Sequence, residues 1–148
     1  MSLKDRINDD IKAAMRAKDK ARVGTLRMLS SAVKDAEIKQ GGELAEAEQL
    51  ALIQKLIKQR RDSAEQYREA GRDEQAAAEE AEAGILAEFL PPELSDAEID
   101  EAIDQAIAET GAGSPQEMGK VMGLLKERLQ GRADLGQVSQ RVKERLGS

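Results

Sequence analysis

Apolar residues recur every three or four positions along almost the whole chain, and this spacing limits the possible fold more than any other feature. Leu3, Ile7 and Ile11 begin the series, and no stretch shows the alternation typical of a strand. A period of three to four residues places apolar side chains on one face of a helix. Alanine, glutamate, leucine, arginine and lysine supply 79 of the 148 residues, a bias typical of long helices. The sequence therefore predicts an all-α protein.

Seven helices can be placed from this spacing and from the residues that interrupt it. Ser2 is a candidate N-cap for the first helix, which is predicted to end near Arg16. Glycines at 41 and 42 are predicted to close the second helix, and Gly71 to close the third. The residues predicted to face inward on the last four helices are as follows: Ala78, Ala81, Ile85, Leu86 and Phe89 on the fourth helix; Ile99, Ile103 and Ile107 on the fifth; Met118, Val121, Met122, Leu125 and Leu129 on the sixth; and Leu135, Val138, Val142 and Leu146 on the seventh.

Two consecutive prolines, Pro91 and Pro92, mark the main break in the chain. They remove two backbone donors and force Leu90 out of helical geometry, so the fourth helix must end there. We expect an N-terminal domain of about four helices in residues 1–92. A small C-terminal domain of three helices is expected in residues 93–148.

Two serines and two glycines shape the prediction for the C-terminal part. A capping box, in which a serine and a glutamate three residues later bond each other's amides, is predicted at Ser95 and again at Ser114. Gly119 and Gly123 lie four residues apart on one side of the sixth helix, and each costs about 1 kcal/mol of helix propensity relative to alanine. We expect another helix to pack closely against them. Contact with the backbone of a ligand is the alternative.

The chain contains no histidine and no cysteine, and this excludes several kinds of site. A zinc site of the usual ligands, a thiol nucleophile, a histidine base and a disulfide framework cannot be built from the remaining residues. Pairs of carboxylates occur, but at the spacing of solvated helix faces and without a calcium-binding loop. We therefore predict no catalytic residues, no cofactor and no metal site.

The apolar runs are too short for a membrane span, which needs roughly 18 to 20 apolar residues. The first residues also lack the apolar stretch of a signal peptide. From these two observations we expect a cytoplasmic protein without a membrane partner.

Charge is distributed unevenly, although the net value is only −6. Residues 1–72 carry 16 basic and 12 acidic side chains, and residues 118–148 carry 7 basic and 3 acidic. Residues 73–117 carry 14 acidic side chains and no lysine or arginine. The pattern fits a polyanion-binding protein with an acidic connecting segment, and it fits equally well a set of solvated helix faces.

Basic residues gather on the third helix and near the end of the chain. Such helices can neutralise a phosphate backbone, and arginine adds bidentate geometry. With one tyrosine and one phenylalanine, base stacking is largely excluded, so recognition would depend on the shape and backbone of folded RNA. The competing interpretation is pairing with glutamates one helical turn away. The RNA-binding candidates are Lys58, Arg61, Gly119, Lys120, Lys126, Arg128, Gly131, Arg132, Arg141 and Lys143.

Four groups of residues, in order along nearly the whole chain, resemble the GatB/YqeY family. This family contains stand-alone YqeY-like proteins and the C-terminal tail domain of the GatB subunit of tRNA-dependent amidotransferases. The matching stretches are Arg27-Met28-Leu29 with Val33-Lys34 and Glu37-Ile38; Lys58-Gln59-Arg60-Arg61-Asp62-Ser63 with Tyr67 and Ala70-Gly71-Arg72; Phe89-Leu90-Pro91 with Leu94-Ser95 and Glu98-Ile99; and Met118-Gly119-Lys120-Val121-Met122 with Gly131-Arg132-Ala133-Asp134 and Val138.

The resemblance implies a two-part helical fold and association with tRNA. In the amidotransferase, the tail contacts tRNA while the rest of GatB and its partner subunits perform the chemistry. It also implies amidotransferase or aminoacyl-tRNA synthetase components as partners, and a family label of carbon-nitrogen ligase activity with glutamine as amido donor. By position, the Gly119-Lys120 and Gly131-Arg132-Ala133-Asp134 stretches would form the binding surface, with capping of the seventh helix as the alternative role of Asp134.

Three functions follow from these observations. The first is a non-catalytic tRNA-binding accessory module linked to glutamine-dependent amidation of aminoacyl-tRNA. The second is a helical protein-protein adaptor that uses the acidic segment 73–117. The third is an amide-transferring enzyme whose active site a partner supplies, and the chain resembles the tail alone without a catalytic domain.

Overall fold

The structure is a computed structural model that describes residues 2–147. Within this range the chain forms seven α-helices and no strand, which confirms the predicted all-α class. A short 3₁₀ turn, Pro115–Glu117, precedes the sixth helix. The helices are α1 (Leu3–Arg16), α2 (Lys20–Gln40), α3 (Glu46–Glu69), α4 (Asp73–Ala87), α5 (Asp96–Thr110), α6 (Met118–Leu129) and α7 (Leu135–Arg145).

The contacts among Cα atoms divide the chain into two compact units, and the division falls between Leu90 and Pro91. Helices α1 to α4 belong to the first unit and α5 to α7 to the second. The assignment of residues 1–92 and 93–148 to two separate domains stays a prediction.

Local signals fix several helix ends where the sequence predicts them. The Ser2 hydroxyl accepts a hydrogen bond from the Asp5 amide at 3.2 Å, and the Asp5 carboxylate accepts one from the Ser2 amide at 3.4 Å. Helix α2 ends at Gly41, whose φ of +80° lies in the left-handed region that favours glycine. These ends depend on residues within one turn of sequence, which explains why the pattern alone locates them.

The first unit consists of two helix pairs that share one core. Helix α1 packs on α2, α3 packs on α4, and α2 contacts both α3 and α4. The long side chains that are completely or almost completely buried at its centre come from all four helices, and they are Ile7, Leu26, Leu29, Val33, Ile53 and Leu86. Burial of each such side chain contributes on the order of 1.5–3 kcal/mol.

The predicted inward face of α4 is wrong in its alanines. Ala78 and Ala81 are exposed, whereas Ala76 and Ala83 are buried. Alanine has a small side chain, so several stripes in this Ala- and Glu-rich helix fit the helical period almost equally well. Helix α4 packs mainly on α3, and Arg60 of α3 lies 3.1 Å from Glu82 on the side of α4 that faces α3.

The second unit is a three-helix arrangement in which α5, α6 and α7 all contact one another. The capping box predicted at Ser95 is present: the Ser95 hydroxyl accepts from the Glu98 amide at 3.2 Å, and the Glu98 carboxylate accepts from the Ser95 amide at 3.0 Å. The core takes residues from all three helices, chiefly Ile99, Ile103, Val121, Leu125, Leu129, Val138 and Val142.

The second predicted capping box, at Ser114, is wrong. The Glu117 amide donates to the backbone carbonyl of Ser114 at 3.0 Å, which is the i→i+3 bond of the 3₁₀ turn, so it does not reach the serine hydroxyl. The hydroxyl instead donates to the Glu117 carboxylate at 3.4 Å. Helix α6 consequently begins at Met118.

The expectation that a helix packs against Gly119 and Gly123 is also wrong. Both residues are exposed, and a methyl group added at either would meet no atom within 4 Å. The reason lies in the phase of α6: Val121 and Leu125 face the core, which places the two glycines on the opposite side.

Candidate nucleic-acid interface

The exposed side of α6 carries four of the residues of interest. Gly119, Lys120, Gly123 and Lys126 are all exposed, together with Glu127, opposite the buried side chains of the helix. The glycines leave the helix backbone uncovered, because they have no side chain and nothing in the described chain packs on them. The result is a strip of accessible backbone bordered by two ammonium groups.

The turn between α6 and α7 adds a third basic side chain on a fixed backbone. Gly131 is buried with a φ of +83°, which glycine adopts without strain. The Arg132 amide donates to the Leu129 carbonyl at 2.9 Å, and its carbonyl accepts from the Leu94 amide at 2.8 Å. Both backbone groups of Arg132 are therefore engaged while its side chain remains exposed.

Asp134 serves as the N-cap of α7, which confirms the alternative role considered for it. Its carboxylate accepts a hydrogen bond from the Gly136 amide at 2.8 Å. A capping carboxylate satisfies an amide that the helix itself leaves without a partner. Asp134 therefore positions α7 after the turn.

Three of the ten candidate residues are engaged in ion pairs. Arg128 lies 2.5 Å from Glu109 of α5, and this hydrogen bond is the main cause that raises the arginine pKa and lowers the glutamate pKa. Arg141 lies 2.9 Å from Asp96 and 3.0 Å from Asp100. Lys58 on α3 pairs with Asp62 one turn later at 2.8 Å, in the i,i+4 geometry expected of a solvated helix face.

The pairing on α7 extends beyond the candidate set. Arg145 pairs with Asp104 and lies 3.7 Å from Asp100, so α5 and α7 face each other with carboxylates and guanidinium groups at matching four-residue spacing. Sequence reasoning selected Arg141 by its charge and missed this arrangement. Its signal was nonetheless present, since residues 96, 100 and 104 and residues 141 and 145 repeat at the same interval.

The other basic candidates have no ion pair within residues 2–147. They are Lys120, Lys126, Arg132 and Lys143 in the second unit and Arg61 in the first, and all five are exposed. Arg132 exerts a lesser electrostatic effect on Glu98, whose lowered pKa is caused first by the hydrogen bond from the Ser95 amide. The structure thus separates cations that hold helices together from cations that face solvent.

The acidic segment 73–117 does not form one open acidic surface. Six arginines from outside the segment engage its carboxylates: Arg60 with Glu79 and Glu82, Arg68 with Glu80, Arg22 with Glu88, Arg128 with Glu109, Arg141 with Asp96 and Asp100, and Arg145 with Asp100 and Asp104. Eight of its 14 carboxylates are therefore engaged by arginines of their own unit.

The described part of the chain contains no group of three or more carboxylates placed to hold a metal ion. None of its helices combines the length and the apolar character that crossing a bilayer requires.

A family model described as "Yqey-like protein" matches residues 4–146, nearly the whole chain. The chain belongs to the YqeY-like protein family. This confirms the GatB/YqeY resemblance drawn from the four groups of residues.

Several curated relatives of this chain carry the same name. They include "Altered inheritance of mitochondria protein 41, mitochondrial" of Pyrenophora tritici-repentis, 30% identical over 97% of this chain and 80% of the relative. The protein of that name in Lachancea thermotolerans is 38% identical over 74% of this chain and 60% of its own length. The one in Clavispora lusitaniae is 35% identical over 70% of this chain and 61% of its own length. The match thus spans about three fifths of the latter two relatives.

The names of these relatives overturn the expected cytoplasmic location. Each is named as a mitochondrial protein, whereas the expectation rested on the lack of a membrane-spanning apolar run and of the apolar stretch of a signal peptide. Composition of this kind does not distinguish between compartments, because neither observation records where a chain is sent.

Proposed function

We propose that the protein binds folded RNA, and specifically tRNA, through a surface formed by α6, the turn at 131–134 and the outer side of α7. The observation that carries this proposal is the set of exposed cations that have no ion pair within residues 2–147, namely Lys120, Lys126, Arg132 and Lys143. An unpaired exposed cation can neutralise a phosphate without first breaking an internal contact.

The two exposed glycines of α6 add to the proposal. Gly119 and Gly123 lower helix propensity, and no described residue packs on them, since none lies within 4 Å of a methyl group built at either position. A phosphate or ribose can approach such a backbone more closely than it could approach a helix covered by side chains. The resemblance to the GatB tail supports tRNA as the folded RNA.

Association with glutamine-dependent amidation of aminoacyl-tRNA is the further step of this proposal. In it the chain acts as an accessory that brings tRNA to amidotransferase or aminoacyl-tRNA synthetase components, which perform the chemistry. Support comes from the resemblance to the GatB tail. Co-purification of the tagged full chain with amidotransferase subunits, in an amount sensitive to ribonuclease, is the expected result. Absence of amidotransferase subunits from the purified material would contradict this step and would leave the proposal of RNA binding intact.

The adaptor interpretation loses support from the ion pairs described above. A partner that bound the acidic segment would have to compete with Arg60, Arg141 and the other arginines that already engage its carboxylates. RNA binding requires no such displacement at Lys120 or Lys126.

The test is a titration of fluorescently labelled tRNA with the full chain over a range of salt concentrations. The logarithm of the association constant should fall linearly with the logarithm of salt concentration, with a slope of roughly 0.7–0.9 per phosphate contacted. Lys120→Ala and Arg132→Ala should each weaken binding and reduce the magnitude of the slope by about one contact.

Lys39→Ala provides the matched control, because Lys39 is an exposed lysine of α2 outside the proposed surface. Its replacement removes the same charge. The control should bind tRNA like the unchanged chain. No binding at low salt, or an equal loss in the Lys39 variant, would refute the proposal.

A further inference from the structure

Helix α1 ends in a turn that places a lysine where the backbone favours glycine. The Lys18 amide donates to the Met15 carbonyl at 3.1 Å, and the Asp19 amide donates to the Ala14 carbonyl at 3.0 Å, which is the bonding pattern of a Schellman motif. Lys18 has a φ of +59°. Within residues 2–147, every other residue in this left-handed region is a glycine.

A non-glycine residue in this conformation is disfavoured, because its Cβ approaches the following carbonyl oxygen. A disfavoured backbone that persists at one position is a reason to examine what its side chain does there. The turn joins α1 to α2 and borders an open groove of about 470 Å³. Lys18 is one of the residues that line it.

Part of the lining of this groove is apolar, and we call this part its floor. It is formed by Met15 and Val23, with Gly24 beside them on α2. Met15 is 54% exposed, and it is one of two large apolar side chains among the described residues with such exposure. An exposed methionine adapts readily to different apolar partners because its side chain is unbranched and flexible.

Gly24 is a second residue of the groove that is unfavourable for the local backbone structure. It lies inside α2, where glycine weakens a helix relative to alanine, yet a methyl group added there would meet nothing within 4 Å. No packing within the described chain requires a glycine. Absence of a side chain at this position leaves the floor of the groove open to a ligand.

The edge of the groove is basic. Lys18, Lys20 and Arg27 line it, and none of them has an ion pair within the described residues. The one carboxylate that also lines it, Asp19, accepts a hydrogen bond from the Arg22 amide at 3.1 Å as the cap of α2. The groove therefore combines an apolar floor with three cations and one carboxylate already engaged as a cap.

We propose that this groove is a docking site for an acidic peptide segment of a partner protein. An aliphatic side chain of the segment packs on Met15 and Val23, its carboxylates meet Lys18, Lys20 and Arg27, and its backbone passes over Gly24. Charge complementarity selects an acidic ligand, and the apolar floor favours a peptide over a nucleic acid. Contact with methionine and valine adds little to the binding energy of a phosphate backbone. The residues that line the groove also include no aromatic ring on which a base could stack.

This site lies in the first unit and is independent of the tRNA proposal, which concerns the second. It is tested by selecting a displayed library of random 16-residue peptides on the full chain. Enrichment of peptides that combine several carboxylates with aliphatic residues is the expected result. Enrichment of basic peptides, or no enrichment at all, would overturn the proposal.

The selected peptide, labelled for fluorescence anisotropy, then serves as the probe for three variants. Lys18→Gly relieves the backbone and should raise Tm, yet it should weaken peptide binding about tenfold, equivalent to about 1.4 kcal/mol. Gly24→Ala should likewise raise Tm and weaken binding. Met15→Ser should keep the circular dichroism of the unchanged chain, because the side chain is exposed, and should also weaken binding.

The opposite signs of the stability and binding effects distinguish a docking site from a purely structural turn. Lys55→Ala, which removes an exposed lysine of α3 outside the groove, is the matched control and should change neither quantity. If Lys18→Gly raises Tm and leaves peptide affinity unchanged, the proposal is wrong.

Two other occupants are separate outcomes. Loss of tRNA affinity in Lys18→Gly with unchanged peptide affinity would assign the groove to RNA and overturn the proposal. A concentration-dependent dimer in sedimentation experiments that Met15→Ser abolishes would assign it to a second copy of the chain, with the same consequence.

Discussion

Arg22 donates two hydrogen bonds to the carboxylate of Glu88, at 2.8 Å and 3.2 Å, and so joins the start of α2 to the end of α4. The hydrogen bond that Arg22 donates to Glu88 is the main cause of the raised pKa of Arg22. Arg6 of α1 donates to the Glu88 carbonyl at 3.3 Å and lies 5.1 Å from the ring centre of Phe89. Three helices therefore meet at the last residues of the first unit.

Replacement of Arg22 by alanine should lower the free energy of unfolding by roughly 0.5–1 kcal/mol. A bidentate pair of this kind has favourable geometry, but partial exposure to solvent weakens it. Urea unfolding followed by circular dichroism measures the change. Lys12→Ala, which removes an exposed lysine of α1, should have little effect, and an equal loss in both variants would show that the pair itself contributes nothing.

Arg141 and Lys143, on the same helix, should respond oppositely to alanine substitution. Arg141→Ala removes the contacts with Asp96 and Asp100, so it should lower Tm and leave the salt dependence of tRNA binding nearly unchanged. Lys143→Ala removes an exposed cation that has no ion pair among the described residues, so it should reduce the salt slope and leave Tm nearly unchanged. The reverse result would mean that Arg141 contacts RNA and Lys143 stabilises the fold.

Gly119→Ala and Gly123→Ala should each stabilise the chain by up to about 1 kcal/mol, because alanine has the higher helix propensity and its methyl group fits without contact. Both should weaken tRNA binding if RNA approaches the α6 backbone. Thermal unfolding and the tRNA titration provide the two measurements. Higher Tm with unchanged affinity would remove the glycines from the proposed surface.

Leucine at position 76 and leucine at position 78 should have very different effects on α4. Ala76 is buried, so Ala76→Leu overfills the core and should cost about 1–3 kcal/mol of stability. Ala78 is exposed, and Ala78→Leu should stay within about 0.5 kcal/mol of the unchanged chain. Chemical denaturation of the two variants decides between this phase of the helix and the one expected from the sequence.

Acidification should destabilise the chain partly through Glu98. Its pKa is lowered in the folded state, first by the hydrogen bond from the Ser95 amide, so the unfolded chain binds the proton more readily. The stabilising contribution is complete above the ordinary glutamate pKa of about 4.3 and is lost as pH falls through the lower folded value. Glu98→Gln should therefore make Tm less dependent on pH below about 4.3.

Glu101→Gln is the control for this measurement, since it removes a carboxylate from the same helix. Glu101 has no ion pair within residues 2–147. It should leave the pH dependence of Tm close to that of the unchanged chain. A Glu98→Gln profile that matches this control would contradict the assignment.

The sequence predicts those features that depend on a few neighbouring residues. The caps at Ser2 and Ser95, the left-handed glycine at position 41 and the break before Pro91 are all satisfied within one or two turns of chain. The same locality explains the i,i+4 pair between Lys58 and Asp62.

Features that depend on a distant partner were not predictable in this way. Arg68 could be expected to pair with Glu65 on its own helix, yet it pairs with Glu80 of α4. The phase of α4 is likewise set by α3, and the exposure of Gly119 by the packing of the opposite face of α6. In the candidate surface, charge identified the cations, but only the folded arrangement shows which of them are already engaged.

Among the described residues, arginines form most of the ion pairs and most lysines form none, and this difference has a consequence for chemical modification. Within residues 2–147, ion pairs engage six arginines but two lysines, Lys4 and Lys58. Acetylation removes the positive charge of a lysine and leaves arginine untouched. Enzymes or reagents that acylate amines would therefore remove most of the outward positive charge from this protein and break the Lys4–Glu37 pair between α1 and α2. The inter-helix ion pairs of the arginines would persist. Acylation is therefore expected to weaken the proposed binding of polyanions while the ion pairs of the arginines remain in place.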